Sequence, residues 1–268
     1  MEEHVHLKIN MRSMYIFGLL PCKFERKLLN FLHELYGKFV LTYLTIFVLS
    51  EYIQVCRIID RDLFDIVSIL AVSLLYSATI LKILVCNGST IKGLVNQILT
   101  TERKLFNYGN STLAGIYYKH VRWNYFADRL LIYVGILTVL PYYFNPVLEQ
   151  IQNEEILVSV VDNVTVEKKI KPLPFNTWFP FDEQEYYYQC YTYHVVAAFF
   201  GGGSTVATDI FFVGLMTFAI GQIKILQFCF ENSGKIATTV SESLEIPKEQ
   251  SIRIVIGYCI KMHKVVIK

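Results

Sequence analysis

The sequence predicts an all-α fold: a polytopic bundle of membrane-spanning helices whose N-terminus lies in the cytoplasm. Only 18% of the 268 residues are charged and 53% are hydrophobic, whereas a soluble domain carries about 25% charged residues. The charges crowd between four long apolar segments and are scarce inside them. Basic residues also alternate in number from one flank of these segments to the next. Together these observations indicate helices that cross a bilayer.

The four apolar segments are residues 39–56, 66–86, 130–148 and 194–223. A helix of about 20 apolar residues crosses a hydrocarbon core roughly 30 Å thick. Each segment approaches or exceeds this length, and lipid does not tolerate unpaired backbone groups. We therefore expect four transmembrane helices, with a long loop over residues 149–190 between the third and the fourth.

The orientation of these helices follows from their flanks. From the N-terminus onward, residues 1–38, 57–65, 82–129, 149–188 and 224–268 contain 6, 2, 7, 3 and 7 Lys and Arg residues. Basic residues concentrate on the cytoplasmic side of membrane proteins. The alternation therefore predicts a cytoplasmic N-terminus and an extracellular loop at 149–190.

The last apolar stretch, residues 251–268, differs from the four spans. Arg253, Lys261 and Lys264 interrupt it, and a charge at the centre of a spanning helix costs about 2.5–3.5 kcal/mol on insertion scales. We predict a cytoplasmic amphipathic helix here. Because the chain stops inside this helix, we expect the sequence to be part of a longer protein.

The extracellular loop contains the decamer LPFNTWFPFD at residues 173–182. Its prolines remove backbone donors and restrict φ, so neither a helix nor an ordinary strand is expected. Its aromatic rings suit the boundary between water and hydrocarbon. We predict a rigid aromatic lid on the outer face of the bundle. The candidate lid residues are Trp178, Phe179, Pro180, Phe181 and Asp182.

Four stretches resemble motifs of the insect odorant receptor family. They are MYIFGLLP (14–21), LPFNTWFPFD (173–182), DIFFVGLMTFAIGQIKIL (209–226) and CIKMHKVVI (259–267). The first resembles the family's N-terminal entry, the second the segment before helix four, the third helix four, and the fourth the cytoplasmic helix before helix five. Their order along the chain also agrees with the family.

The resemblance implies a seven-helix subunit of an odorant-gated cation channel, of which four helices are present here. Helices five to seven would follow Lys268, including the seventh helix, which lines the pore. The resemblance also implies a tetrameric hetero-oligomer with a co-receptor, in the cell membrane of olfactory sensory neurons. The ligand would be a small volatile molecule. No cofactor and no nucleic acid partner is implied.

In this family the odorant pocket lies in the outer half of the bundle, between helices two, three, four and six. Such a pocket is expected to be apolar and aromatic, with few polar groups. Ordinary helix packing is the alternative interpretation for each position. The candidate pocket residues are Ser73, Tyr76 and Ser77 in span two, Tyr133, Leu137 and Thr138 in span three, and Val206 and Ile210 in span four.

Polar residues of other kinds give further hypotheses. Asp209 lies in span four, where an acid is costly unless paired; we favour a structural hydrogen bond to Ser or Thr over a direct functional role. Asn163 begins a glycosylation sequon in the outer loop. Cys56 and Cys190 both lie near the outer face, where they could form a disulfide.

Several classes of function are disfavoured by the sequence. It contains no catalytic motif and no cluster with metal-ligand spacing, so we expect neither an enzyme nor a metalloprotein. A G-protein-coupled receptor would have an extracellular N-terminus, against the basic alternation. A transporter is expected to show internal repeats. A gustatory receptor of the same superfamily and an inactive truncated product stay open as alternatives.

Overall fold

The fold is a helical bundle with one small hairpin. The computed structural model describes residues 6–21, 24–59, 63–107, 111–152, 156–161, 164–169 and 171–267. The helices of this part are α1 (Lys8–Ile16), α2 (Lys27–Ile58), α3 (Leu63–Cys86), α4 (Ser89–Asn107), α5 (Ser111–Gln152), α6 (Tyr187–Glu231), α7 (Ser233–Leu244) and α8 (Lys248–Ile267). The strands are β1 (Ile156–Val161) and β2 (Val164–Lys169).

Four of these helices are long and apolar enough to cross a membrane: α2, α3, α6 and the part of α5 from Thr112 to Leu148. Each contains one of the four predicted spans, so the all-α membrane bundle is confirmed. The helices extend well past the predicted ends; α6 has 45 residues and α2 has 32. The ends of these helices are polar. The length of an apolar segment therefore does not predict where each helix begins and ends.

The hairpin of β1 and β2 lies in the loop predicted at 149–190 and was not expected from the sequence. The two strands are antiparallel, with Ile156 opposite Lys169 and Val161 opposite Val164. Their sequences, ILVSVV and VTVEKK, are rich in the β-branched residues that suit strands. Asn163 of the sequon lies outside the described residues.

The chain divides into two compact units. The first unit comprises residues 10–92 and 129–210, and the second comprises residues 2–9, 93–128 and 211–268. An aromatic core organises the first unit, and its buried members are Phe47, Val48, Tyr76, Phe175, Ala197 and Ala198. Phe175 belongs to the predicted lid, so this part of the lid is a component of the core.

Three consecutive glycines in α6 allow its neighbours in the first unit to approach closely. A Cβ at Gly201 would collide with the ring of Tyr76, and one at Gly203 would collide with Phe17. A Cβ at Gly202 would lie 2.6 Å from Val139 Cγ2. Glycine is unfavourable inside a helix, and here the close packing explains its presence.

Candidate functional site

The decamer that was predicted to form a lid is anchored on the first unit through Phe175. The Phe175 ring is 7% exposed and stacks on Tyr142 of α5, with centroids 4.8 Å apart and planes 19° apart. It also meets Phe47 of α2 edge-on at 5.3 Å and His194 of α6 at 5.6 Å. One lid side chain therefore joins three helices.

Hydrogen bonds fix the lid further along. Thr177 Oγ1 lies 2.7 Å from His194 Nε2, and both residues are buried. The Trp178 backbone N–H donates to the Ser50 carbonyl of α2 at 3.2 Å. The segment lacks regular structure but is held by specific bonds to α2 and α6.

A cavity of about 410 Å³ lies under the lid. It is bounded by α2, by the lid and by the first turns of α6. Its lining residues are Ile46, Leu49, Ser50, Ile53, Trp178, Phe179, Pro180, Phe181, Gln189, Cys190 and Tyr193. Four of the five predicted lid residues therefore line it; the fifth, Asp182, instead accepts a hydrogen bond from the Gln184 N–H at 2.8 Å.

A second cavity of about 480 Å³ lies between the start of the decamer and α5. Thr138, Tyr142, Asn145, Leu173 and Pro174 contribute to its wall. The remaining lining residues, Pro141 and Pro146, lie inside α5. The side chains of Thr138 and Asn145 make this wall more polar than that of the first cavity.

Four of the predicted pocket residues are buried or lie at helix contacts, at different levels of α3 and α6. Ser73 and Tyr76 are buried in α3 and Ile210 is buried in α6. Tyr76 lies against Gly201 of α6, and a Cβ at Gly135 of α5 would collide with Val206. These side chains form the interface of three spanning helices.

Other predicted pocket residues lie elsewhere. The Ser77 hydroxyl is 3.1 Å from the Tyr52 hydroxyl of α2. Tyr133 and Leu137 are each 70% exposed, so the structure does not bring them together with the residues on α3 and α6. Thr138 lines the second cavity instead. Helical spacing correctly placed Tyr133 and Leu137 on one face, but it could not tell which face turns inward.

Asp209 forms an ion pair that the sequence analysis did not anticipate. Its Oδ1 accepts a hydrogen bond from Lys82 Nζ of α3 at 2.5 Å, rather than from the expected Ser or Thr. Nearby, the hydroxyls of Thr79 and Thr205 lie 2.8 Å apart. Lys82 was counted above as a cytoplasmic flanking charge, yet it lies inside α3.

Two buried polar residues of the first unit were missed. Glu51 in α2 is 1% exposed, and His194 in α6 is fully buried. Within the described part of the chain, Glu51 Oε2 and His194 Nδ1 have no hydrogen-bond partner. The Glu51 carboxyl lies within electrostatic range of Tyr76 and Tyr193. Both positions could have been predicted from the sequence, because an ionisable residue in a spanning helix is by default a candidate functional residue.

The second unit has its own buried polar cluster around His6. The His6 N–H donates to Glu102 Oε1 at 2.9 Å, and Asn124 Nδ2 donates to the His6 carbonyl at 2.9 Å. His6 Nε2 lies 2.9 Å from the Gly214 carbonyl, so it carries the proton. Burial lowers the pKa of His6 to about 4, and the positive field of His120 adds slightly to this effect.

Cysteine and metal chemistry add little to these sites. Cys56 and Cys190 are both free, with Cys56 exposed and Cys190 buried, so the pairing considered above is not formed. Among the described residues, no group of three or more His, Cys, Asp or Glu residues could hold a metal ion.

The four spanning helices define a multi-pass membrane protein. A sequence model of the 7tm odorant receptor family matches residues 62–268. This match covers most of the chain, and the chain therefore belongs to that family.

Among solved structures, the insect olfactory receptor OR5 from Machilis hrabei has a similar fold. The TM-score is 0.58 at 14% sequence identity, and the match covers 97% of this chain and 63% of that receptor. This chain therefore spans about 63% of the length of the solved receptor. No curated protein matches the sequence.

Proposed function

We propose that this receptor is the odorant-binding subunit of a ligand-gated cation channel and works with a co-receptor in olfactory sensory neurons. The observation that carries the proposal is the aromatic first unit, in which the ordered decamer and the spanning helices together line ligand-sized cavities. Small-molecule sites have volumes of about 300–1,000 Å³ and apolar walls with a few placed polar groups. Both cavities of the first unit fall in this range.

The proposed odorant site comprises the contact region of α3, α5 and α6 together with the α5 wall of the second cavity. Tyr76 supplies a large aromatic surface there, and the Ser73 hydroxyl lies on the same face of α3. Thr138 and Tyr142 contribute from α5 at the cavity wall. Such a site would select a volatile molecule by shape and apolar contact, with one or two hydrogen bonds fixing its orientation.

Substitution of Tyr76 tests this site. The receptor would be co-expressed with an odorant co-receptor and exposed to an odorant panel, with the co-receptor alone as background. Tyr76→Ala should raise the half-maximal odorant concentration by about tenfold or more, because it removes a buried ring. Tyr188→Ala is the matched control, since that ring is 74% exposed. Equal responses from both variants would place the odorant elsewhere.

The proposal includes a cytoplasmic N-terminus and an extracellular hairpin loop. An epitope before Met1 should be reached by antibody only after the cells are permeabilised. Staining of intact cells would overturn this topology and favour a G-protein-coupled receptor.

Asn163→Gln should abolish the glycosidase-sensitive shift in the electrophoretic mobility of the protein. A shift that persists would show that the loop is not the glycosylated segment.

A further inference from the structure

The cavity bounded by α2, the lid and the start of α6 shares no residue with the proposed odorant site. We propose that it holds one acyl chain of an outer-leaflet phospholipid, inserted beneath the lid. The walls that carry the argument are Ile46, Leu49 and Ile53 from α2 and Trp178, Phe179 and Phe181 from the lid. The proposal rests on the membrane embedding of the first unit and not on the identity of the odorant.

The chemistry of the walls selects an aliphatic occupant. The lining is almost entirely hydrocarbon and aromatic ring. The Ser50 hydroxyl already donates to the Phe47 carbonyl at 2.7 Å, so it is not free to orient a polar ligand. A charged or strongly polar molecule would lose its hydration here without compensation. An unbranched hydrocarbon chain has no polar hydration to lose on entering.

The position of the cavity identifies the bilayer as the source of this chain. Ile46, Leu49 and Ile53 follow one another at spacings of three and four on a spanning helix, so they share one face. They are 55%, 55% and 42% exposed, and on a spanning helix that face meets hydrocarbon. The cavity therefore continues the lipid-facing surface of α2. Trp178 beside it suits the headgroup level, where such rings concentrate.

An inserted chain would support the lid from below. Phe179 and Phe181 lie 5.4 Å apart between ring centroids, and Phe179 also contacts Tyr193 and His194 at 5.7 and 5.5 Å. An empty cavity would leave these rings without contacts on one side, which costs dispersion energy. An acyl chain in the cavity would pack against these rings. The lid, which the Thr177–His194 hydrogen bond also holds, would then have contacts on both sides.

Photo-crosslinking tests the proposal. The receptor, with its co-receptor, would be placed in phosphatidylcholine vesicles containing a phosphatidylcholine with a diazirine in its acyl chain. Mass spectrometry of the irradiated protein should find adducts on the lid residues 178–181, and the labelling should saturate as the probe fraction rises. Leu49→Trp, which fills the cavity, should reduce lid labelling at least fivefold. Leu74→Trp on α3, where Leu74 is 59% exposed, should leave it unchanged.

Three results would overturn the proposal. The first is lid labelling that rises linearly with probe and is equal in the Leu49→Trp and Leu74→Trp variants, since this indicates ordinary surrounding lipid. The second is an absence of lid adducts. The third is displacement of the label by an odorant, which would assign the cavity to the odorant. If Leu49→Trp does not fold, Ile46→Trp replaces it as the cavity-filling variant. The saturation curve of the unmodified receptor then also tests the proposal. Odorant-evoked current is measured separately, so loss of that current bears only on the proposed channel function.

Discussion

Two regions of the first unit each place an acid in a spanning helix, and they do so in opposite ways. Asp209 of α6 is paired with Lys82 of α3, and the two side chains are 43% and 35% exposed. Glu51 of α2 is 1% exposed, yet its Oε2 has no hydrogen-bond partner among the residues that the structure describes. The more accessible acid is thus the satisfied one, and the enclosed acid is not.

The difference teaches how to separate structural from functional acids in this bundle. A paired acid joins two helices and contributes to their association. A buried acid with an unsatisfied oxygen lowers the stability of the protein. Residues that lower stability are retained where activity depends on them. We therefore interpret Asp209 as structural and Glu51 as the better candidate for a functional role.

Loss of Asp209 gives the largest expected effect. Asp209→Leu should destabilise the protein by about 2–3 kcal/mol, because Lys82 would remain charged and unpaired in a spanning helix. Asp209→Asn should cost less, since its amide oxygen can still accept from Lys82 Nζ. Thermal unfolding of purified protein and surface expression would measure both. The double variant Lys82→Leu/Asp209→Leu should recover most of the loss; if it does not, the pair does not account for the role of Asp209.

His6 extends the comparison to a buried ionisable group outside the spans. Its folded pKa is about 4, below the ordinary value of about 6.5, so the unfolded chain takes up a proton first as pH falls. Stability should therefore decrease below about pH 6.5, by about 2 kcal/mol at pH 5, at 1.36 kcal/mol per pKa unit. Unfolding at pH 7.5 and pH 5 would measure this loss. A His6→Gln variant with the same pH dependence would assign it to other groups.

Glu51 should respond in the opposite direction to Asp209. Glu51→Gln keeps the side-chain shape but cannot ionise, so it avoids the cost of a charge at an enclosed position, and we expect the stability to be equal to or higher than that of the unmodified protein. Odorant responses should weaken in the same variant if the carboxyl serves function. The melting temperature and the dose–response curve would be measured side by side. A loss of stability would mean that the Glu51 carboxyl group has a stabilising partner. The distinction drawn between Glu51 and Asp209 would then be wrong.

The bond between lid and helix gives the smallest expected effect. Thr177→Val removes the hydroxyl that lies 2.7 Å from His194 Nε2 and should cost about 1 kcal/mol. Protease cleavage within residues 171–186 should become faster. Thr192→Val is the control, because the exposed Thr192 hydroxyl only donates within α6, to the Tyr188 carbonyl. Equal cleavage rates in the two variants would show that this bond does not hold the lid.

The sequence predicted the spanning helices and the lid because both depend on local composition. Apolar length placed all four spans, and the prolines and rings of residues 173–182 indicated an ordered, irregular segment. The pairing of Lys82 with Asp209 was not predictable, since it joins residues 127 positions apart. The inward face of α5 was equally hidden, because apolar residues surround this helix on all sides. The assignment of Tyr133 and Leu137 to the pocket therefore stays a prediction.

The glycine run of α6 limits how this helix can move. Successive residues on a helix point about 100° apart, so Gly201, Gly202 and Gly203 open three different sides of one turn. Tyr76, Val139 and Phe17 occupy those sides. Rotation of α6 about its own axis would drive a neighbouring side chain out of its groove. A conformational change in the first unit therefore keeps this packing only if Tyr76, Val139 and Phe17 move together with α6.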